Sequence, residues 1–277
     1  MAENVHVFDK YLRQEKLPHM WCPGCGNGIV LQAIVRAIDK AGLDQNNVVI
    51  VDGIGCSSRA NGYTDFCGIQ ANHGRAIAYA TGIKMHNPKL DVIVITGDGD
   101  CTSIGGNHFI HGARRNIDMT VVVFNNSNYG MTGGQFSPAT PTGAITKTTV
   151  YGNIDPQFDI CNLAASAGAT YVARSTAFHA VQLANLICKG IQHKGFSVVE
   201  AACDCTSLFG RLNKRGNAGD MLLRWKDIAV PIEKSKTMTA EELEGKLVIG
   251  ELVWRQDRPE YTELYDKLIV KAQGGDK

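Results

Sequence analysis

The sequence predicts an α/β fold of three layers, in which a mostly parallel sheet lies between two layers of helices. Short β-branched runs alternate with longer helical stretches, the runs are apolar without alternation, and unusual polar segments follow them. Uniformly apolar strands are typical of a sheet covered on both faces. Alternating strands and helices form right-handed βαβ units, whose ligands bind beyond the carboxyl ends of the strands.

The individual elements are predicted from runs of Val and Ile bounded by Gly, Asp or Asn, and from the longer stretches between them. The predicted strands are 48–53, 92–100, 120–126, 170–174 and 196–201. The predicted helices are 28–42, 74–87, 103–115 and 176–192.

The composition changes near Lys214, where the chain becomes charged and its strand signals weaken. A chain of 277 residues with 44% hydrophobic residues is long enough for one large domain or two small ones. We therefore expect a ligand-binding domain over 1–215 and a C-terminal extension over 216–277, with a final helix around 258–272. The extension either wraps a partner subunit or completes the fold.

The charge balance limits the classes of partner. Lys and Arg number 28 against 27 Asp and Glu, a formal net charge of +1. This balance argues against a nucleic-acid-binding protein, which would need a basic surface. No apolar run reaches the ~18 residues of a membrane-spanning helix. The polar N-terminus lacks the apolar core of a signal peptide, so we expect a cytoplasmic protein without a membrane partner.

Two polar segments follow neighbouring predicted strands. Gly97-Asp98-Gly99-Asp100 ends one strand, and Asn126 ends the next, 28 residues after Asp98. The Asp98 carboxylate, the Asn126 amide oxygen and the backbone carbonyl of Asn128 form a ligand set suited to Mg²⁺, which prefers oxygen ligands shared with a phosphate. The alternative is a pair of ordinary turns. The combination predicts a magnesium-bound diphosphate.

Nine cysteines form the second unusual feature. An odd number with no export signal disfavours a disulfide framework. Cys22 and Cys25 form a C-x-x-C pair, which by itself fits a redox pair, zinc or an iron–sulfur cluster. No second C-x-x-C completes a zinc site. Isolated thiols at Cys56, Cys203 and Cys205 are available to complete the four thiolates of a 4Fe–4S cluster.

Six segments, taken together, resemble the beta subunits of the 2-oxoacid:ferredoxin oxidoreductases, and the resemblance covers roughly 17–215. They are WCPGCG (21–26), GIGCSSR (53–59), ANHGRAIAYATG (71–82), GDGDCTSIGGNHFIHGARRNID (97–118), NNSNYGMTGGQ (125–135) and CTSLFGRLNK (205–214). The resemblance implies a thiamine diphosphate-binding fold. It also implies CoA-dependent oxidative decarboxylation of a 2-oxoacid, with electrons passed through a 4Fe–4S cluster to ferredoxin.

The resemblance also assigns ligands. It places Cys22, Cys25 and Cys56 on the cluster, with a fourth cysteine. Alignment on Phe209-Gly210-Arg211 favours Cys205 as the fourth, and Cys203 is the alternative. It places Asp98, Asn126 and the carbonyl of Asn128 on Mg²⁺. The residues expected around thiamine diphosphate are Ile54, Gly55, Cys56, Ser57, His73, Gly97, Asp98, Gly99, Asp100, Asn126, Asn128, Tyr129, Gly130 and Met131.

Two residues are candidates for catalysis. His73 precedes a predicted helix start and is expected to donate to a phosphate or a reacting oxygen, although a lone histidine is often structural. Arg59 is expected to bind the distal carboxylate of the substrate, and a structural ion pair is the alternative. Cys56 belongs to the segment expected to touch the cofactor, so the cluster is predicted to lie beside the reacting centre.

The resemblance implies several partners. With one diphosphate-binding domain, the chain needs an alpha subunit that carries the pyrimidine-binding domain, and we expect a dimer of alpha–beta pairs. No ferredoxin-type cysteine run is present, so electrons leave to an external ferredoxin. The motifs favour 2-oxoglutarate as the 2-oxoacid. The alternatives are a pyruvate or broad 2-oxoacid enzyme, a non-redox thiamine diphosphate decarboxylase or synthase subunit, and an electron-transfer subunit without thiamine.

Overall fold

One sheet of eight strands forms the centre of the computed structural model, which describes residues 6–275. In chain order the strands are β1 Val48–Asp52, β2 Cys67–Gln70, β3 Asp91–Gly97, β4 Met119–Asn125, β5 Tyr171–Thr176, β6 Phe196–Ala202, β7 Ala229–Pro231 and β8 Leu247–Trp254. Their order across the sheet is β2-β1-β3-β4-β6-β5-β8-β7. Strands β1 to β6 are parallel, whereas β8 pairs antiparallel with β5.

Helices connect the strands along the described part of the chain. They are α1 Val7–Tyr11, α2 Asn27–Ala41, α3 Ala60–Tyr63, α4 Ala76–His86, α5 Gly106–Arg115, α6 Ile160–Ala167, α7 Ala180–Gln192, α8 Ala218–Ile228, α9 Ile232–Ser235, α10 Ala240–Leu243 and α11 Tyr261–Ala272. Two short π-helical segments also occur: Asp100–Ile104 follows β3, and Thr206–Gly210 follows β6. No helix within residues 6–275 has the length and apolarity needed to cross a bilayer.

Two apolar cores lie on opposite faces of the sheet. On one face, Ile34 of α2 and Leu183 of α7 pack against alternate strand residues such as Ile50. On the other face, α4, α5 and α6 cover the remaining strand residues, with Phe109 of α5 fully buried. The predicted three-layer α/β fold with a mostly parallel sheet is therefore confirmed.

The structure differs from the sequence prediction at four strands. Strand β7 was not predicted, because it has only three residues and lies in the charged region of 216–277. The strand predicted over 92–100 ends at Gly97, because the backbone turns into a helix at Asp98. Strand β2 was not predicted, since it has four exposed residues at the sheet edge and no apolar run. Strand β8 was not predicted either. It lies in the charged region of 216–277 and is placed against β5 by tertiary pairing.

The topology brings separate segments of the chain to one edge of the sheet. The chain runs from β1 to β2 in one direction across the sheet and from β3 to β4 in the other, so the strand order reverses between β1 and β3. Ligands of open parallel sheets bind at such a reversal, beyond the carboxyl ends of the strands. The polar and cysteine-containing segments that follow β1, β3, β4 and β6 meet there.

Candidate active site

A cavity lies beyond the carboxyl ends of β1, β3 and β4, and we call it the strand-end cavity. It brings together all the residues that the sequence analysis placed around thiamine diphosphate, and Phe124 and Thr132 also line it. The lining residues are Ile54, Gly55, Cys56, Ser57, His73, Gly97, Asp98, Gly99, Asp100, Phe124, Asn126, Asn128, Tyr129, Gly130, Met131 and Thr132.

Asp98 is the buried carboxyl group of this cavity. Only 2% of the residue is exposed, and this burial raises the pKa of its carboxyl to about 7. The Ser137 hydroxyl donates a hydrogen bond to Asp98 Oδ2, and the Thr102 hydroxyl donates to the Asp98 carbonyl at 2.7 Å. A carboxylate buried in this way is stabilised by a bound cation. Sequence reasoning missed Ser137, because nothing in its spacing indicates a contact 39 residues away.

Three asparagines lie at the end of β4 and just after it, and they have different contacts. The Asn125 amide donates to Glu200 Oε1 at 2.7 Å, which ties this residue to the neighbouring strand β6. Asn126 and Asn128 each have a buried side-chain oxygen with no hydrogen-bond partner among the described residues. Leaving such oxygens unpaired costs about 1–3 kcal/mol each. The unpaired Asn126 oxygen and the Asp98 carboxyl line the same cavity and are donors of the kind that Mg²⁺ prefers. The Asn128 side chain instead lies beside Cys205, with its amide nitrogen 3.7 Å from Cys205 Sγ.

A strained turn at Ser127 separates Asn126 from Asn128. Ser127 has φ +63°, a left-handed conformation that is uncommon for a residue other than glycine. Its amide donates to Asn125 Oδ1 at 3.1 Å, and its carbonyl accepts from the Thr140 hydroxyl at 2.7 Å. These bonds hold the turn in place, and such strained turns recur at ligand-binding sites.

Asp100 lines the cavity, but both of its carboxylate oxygens already accept hydrogen bonds from protein groups. Oδ1 accepts from the Gly74 amide at 2.7 Å and lies 2.5 Å from His73 Nδ1, while Oδ2 accepts from the Thr96 hydroxyl at 2.6 Å. The Ile54 amide also approaches Oδ1, at 3.3 Å. Asp100 thus fixes three segments of the cavity wall relative to one another.

His73 is oriented by this contact. With Nδ1–H donating to Asp100, the nitrogen left for a ligand is Nε2, which has no hydrogen-bond partner among residues 6–275. The imidazole is half-buried and makes an edge-on contact with the Tyr129 ring, with centroids 6.0 Å apart. Tyr129 in turn donates to the Gly99 carbonyl at 3.1 Å. A Cβ at Gly99 would lie 2.4 Å from the Tyr129 ring, so only glycine fits there.

Asp52, at the end of β1, is a buried carboxyl that sequence reasoning did not identify. It is 1% exposed, and Oδ2 accepts from the Asn61 amide at 3.1 Å, while Oδ1 has no partner among the described residues. Burial, followed by the nearby Asp100 charge, raises the pKa of Asp52 to about 8. At neutral pH this group is mostly protonated and adds little negative charge to the cavity.

A second cavity, which we call the cysteine cavity, contains four thiols. Its lining includes Cys22, Cys25, Cys56 and Cys205, the four cysteines that the resemblance places on a cluster. A Cβ at Gly130 would lie 3.4 Å from Cys56 Sγ and 3.7 Å from Cys205 Sγ, so these two sulfurs flank one backbone position. Burial, with a smaller contribution from the neighbouring thiols, raises the pKa of Cys25 to about 12 and that of Cys56 to about 11. Four thiolates this close need a cationic centre.

Cys203 lies outside this group. It is 3% exposed, belongs to the apolar core beneath α2, and its sulfur lies 3.8 Å from the Asn27 side-chain oxygen. It does not line the cysteine cavity, whereas Cys205 does. Among the remaining cysteines, Cys101, Cys161 and Cys188 are buried and Cys67 is exposed on the edge strand.

Two further contacts define the wall of the cysteine cavity. The Trp21 indole donates to the Cys56 carbonyl at 2.7 Å, which joins the C-x-x-C loop to the segment after β1. Arg59 lines the cavity and is exposed, and no carboxylate within residues 6–275 lies within 4.0 Å of it. The alternative of a structural ion pair for Arg59 therefore has no partner in the described part of the chain.

The strand-end cavity and the cysteine cavity are adjacent. Cys56, Asn126, Gly130 and Met131 line both of them. One short segment after β1 and one turn after β4 therefore form the wall between the strand-end cavity and the cysteine cavity.

Comparison with known families gives one domain match. Residues 53–201 match the model described as thiamine pyrophosphate enzyme, C-terminal TPP binding domain. This range is more than half of the chain, and it contains the strand-end cavity and its buried carboxyl Asp98.

Comparison with individual proteins gives relatives along nearly the whole chain. The chain is 47% identical over 274 residues to the 2-oxoglutarate synthase subunit KorB of Methanothermobacter thermautotrophicus, covering 99% of this chain and 96% of that one. It is 36% identical over 260 residues to the 2-oxoacid:ferredoxin oxidoreductase 2 subunit beta of Aeropyrum pernix, covering 90% and 84%.

One solved structure has the same fold over nearly the entire chain. It is the 2-oxoglutarate:ferredoxin oxidoreductase from Magnetococcus marinus with 2-oxoglutarate, coenzyme A and succinyl-CoA bound. The TM-score is 0.86 at 33% identity, and the match covers 99% of this chain and 92% of that chain.

Proposed function

Because this chain belongs to the beta subunits of the 2-oxoacid:ferredoxin oxidoreductases, we propose that it converts 2-oxoglutarate and CoA to succinyl-CoA and passes the electrons to ferredoxin. It is a subunit of a thiamine diphosphate-dependent oxidoreductase. The names of the KorB relatives and the ligands of the Magnetococcus marinus enzyme favour 2-oxoglutarate over other 2-oxoacids.

The observation that carries this proposal is the shared wall of the two cavities. A non-redox thiamine enzyme needs the strand-end cavity but has no use for four thiols beside it. An electron-transfer subunit without thiamine needs the thiols but not the buried carboxyl with unpaired amide oxygens. Only a redox thiamine enzyme uses both, and it uses them best when they are adjacent.

The strand-end cavity has the groups to hold the cofactor. Asp98 and Asn126 would supply side-chain oxygen ligands to Mg²⁺, with the backbone carbonyl of Asn128 as a third, and the magnesium would bind the diphosphate. Thiamine diphosphate supplies the carbanion chemistry that breaks the bond to the substrate carboxylate, and a 4Fe–4S cluster supplies one-electron steps. Cys22, Cys25, Cys56 and Cys205 would hold that cluster, next to the cofactor through Cys56.

His73 has a defined protonation role in this proposal. Asp100 holds its Nδ1–H, which fixes the ring orientation and leaves Nε2 to accept a proton from the reacting oxygen or to return one to it. Because Asp100 also fixes Ile54 and Gly74, the position of this proton-transfer atom is coupled to the cavity wall.

The partners follow from the subunit character of the relatives. A beta subunit implies an alpha subunit, which we propose carries the pyrimidine-binding domain, and a ferredoxin that accepts the electrons. We further propose a dimer of alpha–beta pairs in the cytoplasm, with 1–215 as the cofactor-binding unit and 216–277 as an extension that completes the sheet through β8.

The proposal is tested by anaerobic co-purification of the chain with its alpha subunit and assay with a panel of 2-oxoacids. We expect CoA-dependent reduction of ferredoxin, fastest with 2-oxoglutarate, by a complex that contains thiamine diphosphate and four iron atoms for each beta chain. A preparation that releases carbon dioxide without reducing ferredoxin would identify a non-redox decarboxylase. Equal rates with pyruvate would identify a broad 2-oxoacid enzyme.

Replacing Arg59 tests the assignment of the substrate. The Arg59→Ala variant is expected to raise the KM for 2-oxoglutarate by about 10-fold or more, since a charged hydrogen bond to the distal carboxylate contributes about 1.5–3 kcal/mol. The KM for 2-oxobutyrate, which has no distal carboxylate, is expected to change by less than about twofold.

The Arg59→Lys variant serves as the matched control, since it keeps the charge but loses the two-pronged geometry. We expect an intermediate KM for 2-oxoglutarate. Equal changes for both substrates in Arg59→Ala would remove Arg59 from the substrate site.

A further inference from the structure

A third cavity of about 400 Å³ lies beside β4, β5 and β6, separate from the two described above. Its wall is formed by the strand ends, the segment before α6, helix α8 and the start of β8. We call it the arginine cavity, because Arg174, Arg215 and Arg224 line it, with Lys246 and Trp225. Its volume is in the range of small-molecule sites in proteins.

The two acidic side chains of the arginine cavity, Asp159 and Glu200, both pair with Arg174. Arg174 donates through Nε to Glu200 Oε2 at 2.7 Å and through its terminal nitrogen to Asp159 Oδ1. Glu200 also accepts from the Asn125 amide. Arg174, Asp159 and Glu200 thus form one hydrogen-bonded group of one cation and two carboxylates, and neither carboxylate lies within 4.0 Å of the Arg215 or Arg224 guanidinium.

Arg215 and Arg224 form no ion pair in the described part of the chain. Both are half-buried, and no carboxylate oxygen within residues 6–275 lies within 4.0 Å of either guanidinium. Each contacts an aromatic ring instead: Arg215 lies 4.6 Å from the Phe209 centroid and Arg224 lies 5.2 Å from the Trp225 centroid. Burial and the neighbouring Arg224 lower the pKa of Arg215 to about 10, and Asp204 offsets only part of this effect.

The nearest counter-charge to Arg215 and Arg224 is the buried Asp204 carboxylate, which forms no ion pair with either, so both guanidinium groups keep free donors for an added anion. Guanidinium groups are the side chains best suited to bind phosphate, through paired hydrogen bonds of fixed geometry. Lys246 at the rim is exposed and donates only to the Asp227 carbonyl, at 3.2 Å. A monocarboxylate has two oxygens, which pair with one guanidinium, whereas two linked phosphate groups offer oxygens to both guanidinium groups.

We propose that the arginine cavity binds a small anion with two or more phosphate charges, a class that includes inorganic diphosphate and the phosphate groups of nucleotides. The site is built from residues that the proposed enzymatic function does not use. It therefore stands or falls independently of that function.

The arginine cavity adjoins the segment that carries Cys205. The Arg215 amide donates to the Gly210 carbonyl at 2.9 Å, and the Gly210 amide donates to the Cys205 carbonyl at 2.8 Å. The Trp225 indole donates to Asp204 Oδ2 at 2.7 Å. An anion bound by Arg215 and Arg224 would thus fix the π-helical turn Thr206–Gly210 that follows Cys205.

Calorimetric titration of the assembled complex tests the proposal. The complex is first saturated with thiamine diphosphate and excess Mg²⁺, so that added diphosphate does not enter the strand-end cavity. Inorganic diphosphate, ADP and malonate are then titrated separately at low ionic strength, where charge interactions are least screened. We expect diphosphate or ADP to bind with a Kd below about 1 mM, and malonate to bind at least about tenfold more weakly.

The Arg215→Gln/Arg224→Gln double variant is expected to weaken diphosphate or ADP binding by about tenfold or more. Arg36→Gln is the matched control, because Arg36 also stacks on an aromatic ring, Phe8, but lies on α2 and does not line the arginine cavity. Without added anion, the double variant is expected to lose no more Tm per substitution than Arg36→Gln, since each substitution removes one ring contact and the double variant also removes a repulsion between like charges. A purely structural role of the two arginines predicts a larger loss of Tm instead.

The Lys246→Gln variant replaces the double variant if that one fails to fold. Because Lys246 is exposed, its substitution is expected to leave the fold intact. We expect Lys246→Gln to bind diphosphate or ADP about threefold more weakly. Tighter binding of ADP than of diphosphate would identify nucleotides as the source of the anion, and equal binding would identify the free anion. The proposal is overturned if neither phosphate compound binds saturably, if malonate binds equally well, or if binding survives in the variants.

Discussion

The Cys205→Ala variant of the assembled complex is expected to lose its 4Fe–4S cluster and to reduce ferredoxin only at background level. A cubane cluster is held by four thiolates, and the cysteine cavity offers Cys205 as its fourth thiol. Thiamine diphosphate binding is expected to persist, because Asp98 and Asn126 are unchanged. Iron analysis and the visible absorption of the anaerobic protein measure the first effect, and a thiamine titration measures the second.

Cys203→Ala is the matched control. Cys203 lies two residues away but packs in the apolar core, so we expect normal iron content, normal ferredoxin reduction and a loss of about 1 kcal/mol in the free energy of unfolding. The opposite pattern, with iron lost in Cys203→Ala and kept in Cys205→Ala, would exchange the two assignments. Iron kept in both variants would show that the fourth ligand lies elsewhere.

The Asp98→Asn variant is expected to weaken binding of thiamine diphosphate with Mg²⁺ by about 100-fold, because a neutral amide replaces a charged ligand of the cation. The change keeps the shape of the side chain, and the Ser137 hydroxyl can still donate to its oxygen. Fluorescence titration of the complex with thiamine diphosphate and Mg²⁺ measures the effect. Asp155→Asn is the control, since Asp155 is exposed and does not line the strand-end cavity.

Weaker cofactor binding in Asp98→Asn would not be caused by a less stable protein, because this substitution is expected to raise the Tm of the metal-free complex. Burial in the folded state raises the pKa of Asp98 to about 7. Between about pH 4 and pH 7 the Asp98 carboxyl is therefore protonated in the folded protein and ionised in the unfolded chain. This contribution to stability is lost as the pH rises through 7. The gain in Tm from Asn should therefore be larger at pH 8 than at pH 5. Unchanged cofactor binding in Asp98→Asn would exclude Asp98 as a magnesium ligand.

The parts of the structure that were predictable from the sequence are those with a local signal. Four of the five predicted strands match because their Val and Ile runs are buried on both faces, as in β4. The polar segments around Asp98 and Asn126 were expected to meet because parallel strands end at one edge of the sheet. Strands β2 and β8 lacked such a signal, since one is short and exposed and the other depends on pairing with β5.

The parts that were not predictable depend on contacts between distant segments. Ser137 contacts Asp98 across 39 residues, and the burial of Asp52 depends on the layers around β1. The sequence offered both Cys203 and Cys205, and only tertiary packing directs one into the core and the other into the cysteine cavity. Arg215 and Arg224 looked like ordinary charges of a polar region until α8 placed them against the strand ends.

The central claim is that an iron cluster and a magnesium-bound cofactor occupy adjacent cavities with Cys56 in their common wall. Anomalous diffraction at the iron edge, from crystals of the anaerobic complex, tests it most directly. We expect one compact iron peak enclosed by the sulfurs of Cys22, Cys25, Cys56 and Cys205, beside diphosphate density at Asp98. A peak at the zinc edge instead, or iron bound away from these sulfurs, would contradict the proposed electron path.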